Sequence, residues 1–299
     1  MKRPAAERLV ALRRAVLRYY RRERRDLPWR RSGDPYHILV SEIMLQQTQV
    51  PRVIPKYREF LRRFPTLRTL ARARLADVLH AWAGLGYNNR ALRLWRCAQI
   101  IVARHAGRFP NSAAALRALP GVGQYTAAAL ASFAFGEQTA AIDVNVGRVL
   151  ARTLAGADIL TRRELAQLAV AALPRNSAAD WTQALMDIGA RFCRPAPQCA
   201  ACPARRTCRY ARAPKSAAVA ESRATRRKGQ PPFAGSTRFY RGRVIRILTN
   251  VPSLSLAQLG VQVKPGFNLS DRPWLHAILR ALQRDGLVRI SRGARISLA

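Results

Sequence analysis

Apolar residues recur at intervals of three and four positions from residue 5 to about residue 210, as in LRTLARARLADVLHAWAGLG and AALRALPGVGQYTAAALASFAFG. This spacing places apolar side chains along one face of an α-helix, whereas a half-buried strand alternates apolar and polar residues. No alternating stretch of useful length occurs in this part of the sequence. The pattern predicts an all-α unit and therefore a mainly α fold.

The composition changes after residue 210, which predicts a domain boundary. Residues 211–235 are rich in Ala, Pro, Ser and basic residues and hold few large apolar side chains, as is typical of a solvated linker. Residues 236–299 contain helical stretches, the last expected to be capped by Ser270 and to end before Gly286, and then the alternating sequence LVRISRGARISL. Helices followed by a hairpin predict a small winged-helix-like domain.

The charge of the chain indicates its partner. There are 53 Lys+Arg residues against 16 Asp+Glu residues, and the formal net charge is +37. A GC-rich genome explains the use of Arg over Lys but not the shortage of acids, and such a charge favours a polyanion. We therefore expect nucleic acid as the partner. The basic side of the winged-helix-like domain would contact DNA as well; a packing or protein-interaction module is the alternative there.

The sequence shows no sign of a membrane segment or of secretion. It has no run of 18 apolar residues, and its N-terminus lacks an apolar region followed by a cleavage site. We therefore expect a cytoplasmic protein, associated with a bacterial nucleoid. A mitochondrial transit peptide is the alternative for the Arg-rich N-terminus, but Glu7, Glu23 and the unbroken helical period count against it.

The segment LPGVGQYTA places Gly121 and Gly123 in a tight turn between two helical stretches. Glycine lets a backbone approach a phosphate group closely, and the first amides of the following helix then point at the anion. Such turns also join helices for packing alone. With its flanking residues and an acid further along the chain, the segment indicates a helix-hairpin-helix that binds the DNA backbone.

Four of the five cysteines crowd into one short stretch with the spacing C-x5-C-x2-C-x5-C. In a reducing compartment this crowding indicates a metal site rather than disulfides. Cys193, Cys199, Cys202 and Cys208 suit either a [4Fe-4S] cluster or a Zn2+ ion, and the spacing alone does not separate the two. Cys97, on an apolar helix face, is expected in the core.

Two carboxylates lie in apolar stretches, Glu42 in YHILVSEIMLQQTQV and Asp143 in AIDVNVGRVLAR. Burial disfavours the charged form of a carboxyl group, so an acid on or beside a buried helix face can donate a proton at neutral pH. Cleavage of a glycosidic bond requires one acid that protonates the leaving group and another that stabilises or captures the oxocarbenium-like sugar. A helix cap or a salt-bridge partner is the alternative for each acid.

Six segments of the chain form a set. They are LPWR (27–30), VSEIMLQQTQV (40–50), WAGLGYNNRA (82–91), LPGVGQYTAAALASFAFG (119–136), DVNVGRVLAR (143–152) and the four-cysteine loop. Together they resemble the catalytic part of the adenine DNA glycosylases of the MutY type, within the endonuclease III superfamily. The resemblance covers about residues 25 to 210.

The resemblance implies the helix-hairpin-helix DNA glycosylase fold. One helical barrel domain with the hairpin would span residues 31–145. A second helical domain would combine residues 1–30 with 146–210. Its cysteine loop would hold a [4Fe-4S] cluster rather than Zn2+, followed by the linker and the winged-helix-like domain.

Position by position, the resemblance also implies roles for side chains in the chemistry. Glu42 would protonate the adenine and then activate water, Asp143 would stabilise the sugar cation, and Asn145 would hold Asp143 in place. Tyr125 falls where bifunctional relatives keep a lysine nucleophile. Without that amine no Schiff base can form, so the enzyme would release a base without cutting the strand.

Other matching residues are expected to meet the DNA. Trp29 and Arg30 match part of the pocket for the flipped base, and flipping is needed because the glycosidic bond is not reachable inside the stack. The matches that enter the duplex around the opposite base are Gln47, Thr48, Leu85 and Tyr87.

The sequence departs from the family pattern at three places. The first two cysteines are separated by one residue fewer than is usual, and Asn88 and Val144 replace the family's tyrosine and glycine. The tail is too short, and patterned differently, for the Nudix-like C-terminal domain with which the family reads 8-oxoguanine.

The sequence thus predicts a monomeric, monofunctional DNA glycosylase that binds double-stranded DNA containing a mispair and removes adenine opposite guanine or 8-oxoguanine. A mismatch-specific thymine or uracil glycosylase is the first alternative, since those relatives share the tyrosine and an equivalent aspartate. A catalytically inactive DNA-binding protein is the second. The presence of Glu42, Tyr125, Asp143 and Asn145 together argues against it.

Overall fold

The structure is a computed structural model that describes residues 6–212 and 232–299. As the sequence predicts, these residues are mainly α-helical. In chain order the α-helices are α1 (Ala6–Glu23), α2 (Pro35–Leu45), α3 (Val50–Arg63), α4 (Leu67–Arg72), α5 (Leu75–Ala81), α6 (Asn89–Arg104), α7 (Ala113–Leu116), α8 (Gln124–Phe135), α9 (Val144–Leu150), α10 (Arg162–Ala172), α11 (Ala178–Arg191), α12 (Arg209–Arg212), α13 (Thr237–Leu248), α14 (Leu256–Val263) and α15 (Arg272–Arg284). The strands are β1 (Val288–Ile290) and β2 (Ile296–Leu298).

The chain divides into two compact units. Of the described residues, the first unit combines 6–39, Pro110–Ala118 and 122–212, and the second combines Val40–Phe109, Leu119–Gly121 and 232–299. Each unit therefore draws on segments that are distant in sequence. The domain boundaries that the resemblance implies stay a prediction, and most of the expected linker lies outside the described residues.

The core of the first unit is formed by α1, α9 and α11. Leu12 and Val16 of α1 are fully buried, as are Leu185 and Ile188 of α11. After α9 the chain continues as a π-helical turn that ends at Gly156, whose φ of 75° is in the left-handed region that glycine adopts without steric cost. This helical layer carries Asp143 at the start of α9 and Cys193 just beyond the end of α11.

Helices α3 to α6 form the core of the helical part of the second unit. The rings of Phe60 and Trp82 pack edge to face with centroids 6.0 Å apart, and Leu70, Leu94 and Ile101 are fully buried around them. Thr66 begins α4 with a capping box that it shares with Thr69. These packed helices lead into the loop that precedes α6.

The C-terminal part of the second unit is winged-helix-like, as predicted. Helices α13, α14 and α15 are followed by antiparallel β1 and β2, paired from Val288–Leu298 to Ile290–Ile296, and Leu254 bridges to Ile296 as an isolated third segment. Val244, Leu259 and Leu279 are fully buried in its core. Helices that bury one face against each other and against a short hairpin account for this arrangement.

One cap prediction for this domain is wrong and the other is confirmed. Ser270 does not cap α15, because Asp271 precedes the helix and Ser270 instead donates its amide to the side chain of Asn268. Asn268 and Asp271 form a capping box around a short 3-10 turn, which takes the place of a serine cap. Gly286 follows the end of α15 with a φ of 75°, as expected for a glycine just beyond a helix.

Within the described ranges, no helix is both long enough and apolar enough to cross a membrane.

Candidate active site and DNA-binding elements

Asp143 caps the N-terminus of α9. Its Oδ1 atom accepts hydrogen bonds from the backbone amides of Asn145 at 2.9 Å and Val146 at 2.7 Å, and its Oδ2 atom accepts one from Nδ2 of Asn145 at 2.9 Å. Three donors therefore fix the direction of a carboxylate that remains half-buried. The sequence left a helix cap open as an alternative, and the cap is also what aims the carboxylate.

Asn145 is itself held by two residues that sequence reasoning missed. Nη2 of Arg148 donates to Oδ1 of Asn145 at 2.8 Å and to the carbonyl of Gly189 at 3.0 Å, and Nε donates to the carbonyl of Cys193. A Cβ atom on Gly189 would lie 2.6 Å from Cβ of Asn145, so only glycine fits there. A chain of contacts thus joins Asp143 to the first cysteine of the cysteine loop.

The other carboxylate, Glu42, lies on α2 in the second unit, whereas Asp143 lies in the first. Glu42 is 6% exposed, and its neighbours Ile43 and Met44 are buried. An acid in this position fits the sequence-based expectation of a buried carboxyl group. Tyr125 lies in the first turn of α8, half-buried against a small cluster of alanines.

The residues expected to enter the duplex lie in two loops of the second unit, one after α2 and one before α6. Gln47 has a φ of 57° and Tyr87 a φ of 50°, a left-handed conformation that is strained for residues other than glycine. Tyr87 is 46% exposed, whereas Leu85 is 4% exposed. Thr48 accepts a hydrogen bond from Arg90, which contacts both loops. Duplex entry by these side chains stays a prediction.

The two glycines of the hairpin have different reasons to be glycine. Gly121 has a φ of 79°, and a Cβ atom there would lie 2.9 Å from Cβ of Arg93. Gly123 directly precedes α8 and has an extended backbone. A Cβ atom added there would have no atom within 4 Å. The turn therefore requires Gly121, while Gly123 leaves open space beside the first amides of α8, where an anion can approach.

The resemblance assigns Trp29 and Arg30 to the base pocket; in the first unit Trp29 is buried and Arg30 is half-buried. Nη1 of Arg30 donates to Oδ2 of Asp187 at 2.7 Å and Nη2 to Oδ1 at 3.0 Å, and Arg25 binds the same carboxylate at 2.5 Å. Asp187 is fully buried, so the two arginines neutralise a charge that would otherwise be costly. Sequence reasoning missed this pairing, and the base-pocket role stays a prediction.

The four clustered cysteines line one cavity with an empty volume of about 360 Å³, part of it open to solvent. Arg152 donates to Sγ of Cys193 at 3.6 Å and is also bonded to Asp158. Burial raises the pKa of the Cys202 thiol to about 11 and also raises that of Cys208. Within the described residues no group of three or more His, Cys, Asp or Glu residues is arranged to hold a single metal ion.

Cys97 is fully buried on α6, and burial raises the pKa of its thiol to about 12. It is a core residue, as predicted, and remains a protonated thiol at neutral pH.

Comparison with protein families and curated proteins identifies relatives. Residues 40–175 match the HhH-GPD superfamily base excision DNA repair protein family. A protein of Mycolicibacterium smegmatis named adenine DNA glycosylase is 38% identical over 289 residues, which covers 95% of this chain and 94% of that protein. A human protein of the same name is 43% identical over 215 residues, covering 67% of this chain and 39% of the human protein.

Solved structures show the same fold. A thermostable thymine-DNA glycosylase is 30% identical and superposes with a TM-score of 0.64, covering 69% of this chain and 97% of that structure. An endonuclease III trapped in a covalent complex with DNA is 20% identical with a TM-score of 0.61, covering 70% of this chain and 97% of that structure. The second likeness concerns the fold alone.

Proposed function

The chain belongs to the adenine DNA glycosylase family, and on that premise we propose that it is a monofunctional enzyme of base excision repair. Its substrate would be double-stranded DNA in which adenine is mispaired with guanine or 8-oxoguanine. The relative that matches along almost the whole chain supports adenine over thymine or uracil. The protein would act as a monomer on chromosomal DNA.

The observation that carries this proposal is the carboxylate of Asp143, held by three hydrogen-bond donors at the start of α9. Cleavage of the bond between base and sugar leaves positive charge on the sugar ring. A fixed carboxylate stabilises that charge without having to reorient during the reaction. The helix cap uses only Oδ1 of Asp143; Oδ2 is held by the side chain of Asn145, which Arg148 holds in turn.

The two acids divide the chemistry between them in this proposal. Glu42 donates a proton to the flipped adenine, the bond between the base and C1′ breaks, and its electrons leave with the base. Asp143 stabilises the oxocarbenium-like sugar that forms. Glu42, now ionised, takes a proton from a water molecule, whose oxygen adds to C1′. The products are free adenine and an abasic site in an uncut strand.

The residue at position 125 supports a monofunctional reaction. Tyr125 has no amine, so it cannot form a Schiff base with the sugar, and strand cleavage by that route has no nucleophile there. Its half-buried ring instead packs against Ala128 and Ala129 at the start of α8.

A panel of duplexes tests the specificity. Adenine, thymine and uracil are each placed opposite guanine, adenine is also placed opposite 8-oxoguanine, and abasic sites are cleaved with alkali after incubation. We expect release of adenine from both adenine mispairs. Release of thymine or uracil from its pair with guanine, with adenine retained, would contradict the proposal and support a mismatch-specific thymine or uracil enzyme, the activity named for one structural neighbour.

The cysteine loop fits a [4Fe-4S] cluster held by Cys193, Cys199, Cys202 and Cys208. All four thiols line the same cavity, and thiolates are the ligands that such a cluster takes from a protein. When bound, the cluster would cross-link the loop between α11 and α12.

Iron and sulfide analysis tests this assignment. Protein purified without oxygen should be brown and contain iron and acid-labile sulfide in equal amounts, and replacing Cys199 with Ser should remove most of both. Colourless protein that contains one zinc ion would decide for the other metal.

The C-terminal domain is proposed to grip the DNA backbone rather than to read a base. Every fourth residue of α15 from Arg272 to Arg284 is exposed and is either arginine or histidine. Both acids of residues 232–299 are already paired, Asp271 with Lys264 and Asp285 with Arg241. Neither acid forms its salt bridge with the stripe on α15, as expected for a surface that contacts phosphates. A packing module is the alternative.

The aromatic residues of this domain support the same proposal. Tyr240 and Trp274 pack edge to face with centroids 4.7 Å apart, and Phe239 packs against both Tyr240 and Phe233. The competing proposal is that Phe239, Tyr240 or Trp274 contacts the damaged base, but each of these rings already has a ring partner within the domain.

A further inference from the structure

Arg90 is a buried cation in the first turn of α6, with only 7% of its surface exposed. Its guanidinium group donates to an array of oxygen atoms, none of which belongs to a carboxylate. These acceptors are the carbonyl oxygens of Ile43 (3.1 Å), Met44 (2.9 Å), Gln46, Leu85 (3.1 Å) and Gly86 (3.1 Å) and the hydroxyl oxygen of Thr48 (3.1 Å). A buried arginine is ordinarily paired with an acid, so this environment needs an explanation.

The acceptors belong to three separate segments. Nη1 binds the carbonyls of Ile43 and Met44, which lie in the last turn of α2 and have no partner within that helix, together with Gln46 of the loop that follows. Nη2 binds Thr48 of that loop and the backbone of Leu85 and Gly86 in the loop before α6. One guanidinium group therefore joins the helix that carries Glu42 to both loops.

The charge of Arg90 is compatible with this position. Carbonyl oxygens at the C-terminus of a helix carry partial negative charge, which favours a cation beside the end of α2. Burial lowers the pKa of Arg90 to about 10, so the group still carries its proton at neutral pH. A neutral side chain of similar length would leave several buried carbonyls without a donor.

Both loops contain a residue that needs such support. Gln47 and Tyr87 have left-handed backbone conformations, which persist only where the surroundings determine them. The backbone amide of Arg90 donates to the carbonyl of Tyr87 at 2.8 Å, and its guanidinium lies 5.5 Å from the centre of the Tyr87 ring. Arg238 adds a contact at 3.5 Å to the hydroxyl group of the same tyrosine.

We propose that Arg90 is a positioning residue that fixes loops 46–48 and 85–87 in one shared arrangement before DNA binds. The loops would then enter the duplex as one preformed element, and the end of the Glu42 helix would be held in register with them. Preorganisation of this kind speeds a reaction because no loop has to be ordered as the base is flipped. The inference rests on the proposed function only in that these loops meet DNA.

Two substitutions and a matched control test the proposal. Arg90→Lys keeps the charge but replaces a fork that spans three segments with a single ammonium group. Arg90→Met removes the charge, and if it does not fold, Arg90→Lys still decides. Arg13→Lys is the control, because Arg13 also binds three carbonyls, those of Ala171, Ala172 and Leu173 at the end of α10, away from both loops.

The first readout is the fluorescence of a bound duplex from which the enzyme cannot release a base. The duplex carries a tetrahydrofuran abasic site opposite guanine, with 2-aminopurine beside that guanine, so that unstacking at the opposite strand raises fluorescence. The second readout is the single-turnover rate of base release per active molecule, and the third is the melting temperature. We expect Arg90→Lys to unstack the probe less than the wild type does and to release adenine about tenfold more slowly. Arg13→Lys should match the wild type in both.

The outcomes separate positioning from simple stability. If Arg90→Lys lowers only the melting temperature, with wild-type fluorescence and rate, the proposal is wrong and Arg90 is structural. If the wild type releases no adenine from any mispair, the proposed function fails, while the fluorescence of the uncleavable duplex still decides the role of Arg90.

Discussion

Asp143 and the two loops of the second unit are each held by an arginine, but by different means. Arg148 acts through the side chain of Asn145 and binds the carbonyls of Gly189 and Cys193. Arg90 binds mainly backbone carbonyls, which belong to two loops and to the C-terminal end of α2. The first arrangement aims one carboxylate, whereas the second fixes whole segments of backbone.

The difference matters for what each site tolerates. The contacts that run from Asp143 through Asn145 to Arg148 form a relay of side chains, which is lost when any one of them changes. The relay ends at the carbonyl of Cys193 in the cysteine loop. Its geometry therefore depends on the fold of that loop. Most of the hydrogen bonds from Arg90 go to backbone carbonyls, which every residue has, so these bonds do not depend on which side chains the loops carry. Thr48 is the exception, because its hydroxyl oxygen is one of the acceptors.

Of the substitutions considered, replacement of Asp143 itself should have the largest effect on the rate of base release. Asp143→Asn should lower the single-turnover rate of base release by about 1000-fold, because an amide keeps the cap but not the charge that stabilises the sugar cation. Affinity for an uncleavable duplex serves as the control and should be nearly unchanged. A mutant rate close to that of the wild type would overturn the assignment.

Glu42→Gln should have the next largest effect, about 100-fold on the same rate, because an amide neither protonates a leaving base nor activates water. The pH profile of the residual activity checks this result. If the mutant still releases adenine with the wild-type pH profile, another group supplies the proton. The end of α2 that Arg90 holds would then not position the general acid.

Arg148→Lys removes the contacts that hold Asn145 while leaving the carboxylate of Asp143 in the chain. We expect base release to slow about tenfold, because one ammonium group cannot hold Asn145, Gly189 and Cys193 together. Iron content should be retained. Arg194→Lys is the matched control, as Arg194 lies in the cysteine loop and its Nε donates to the carbonyl of Ala190 rather than to Asn145. Equal rates for both mutants would show that the relay does not aim Asp143.

The residues that follow local rules were predictable from the sequence. Asp143 begins a helix as its position suggested, Gly121 takes the left-handed conformation of a tight turn, and Gly286 ends α15. Serine is a common cap, which is why the sequence favours Ser270. Asn268 and Asp271 instead satisfy the free amides there, and the sequence alone does not rank such neighbouring candidates.

The contacts that position the site were not predictable in the same way. Arg90 and Arg148 bind backbone carbonyls, and every residue offers a carbonyl, so no sequence signal marks the partner. Arg30 and Asp187 are an ion pair separated by more than half the chain, which a single sequence does not reveal. In the sequence, Gly189 looks like any other glycine within a helix. The structure shows that a Cβ atom at this position would lie 2.6 Å from Cβ of Asn145, which only glycine avoids.

The smallest expected effect concerns the exposed arginines of α15 in the C-terminal domain. Replacing Arg272 and Arg280 with Ala should weaken binding to all duplexes alike, and the salt slope should fall by about 0.9 for each phosphate that the protein no longer neutralises. The preference between guanine and 8-oxoguanine opposite adenine should not change, and it serves as the internal control. A loss of that preference with general affinity intact would show that the domain reads the lesion.

The most direct test of the central claim, hydrolysis of the bond between base and sugar without a Schiff base between enzyme and DNA, is a single-turnover reaction in the presence of borohydride. The substrate is a labelled duplex with adenine opposite guanine, and both the free base and the labelled strand are followed. We predict that free adenine accumulates while the strand stays intact until alkali is added, with no protein attached to it. Trapping of a covalent protein–DNA adduct, or strand cleavage before alkali, would contradict the account.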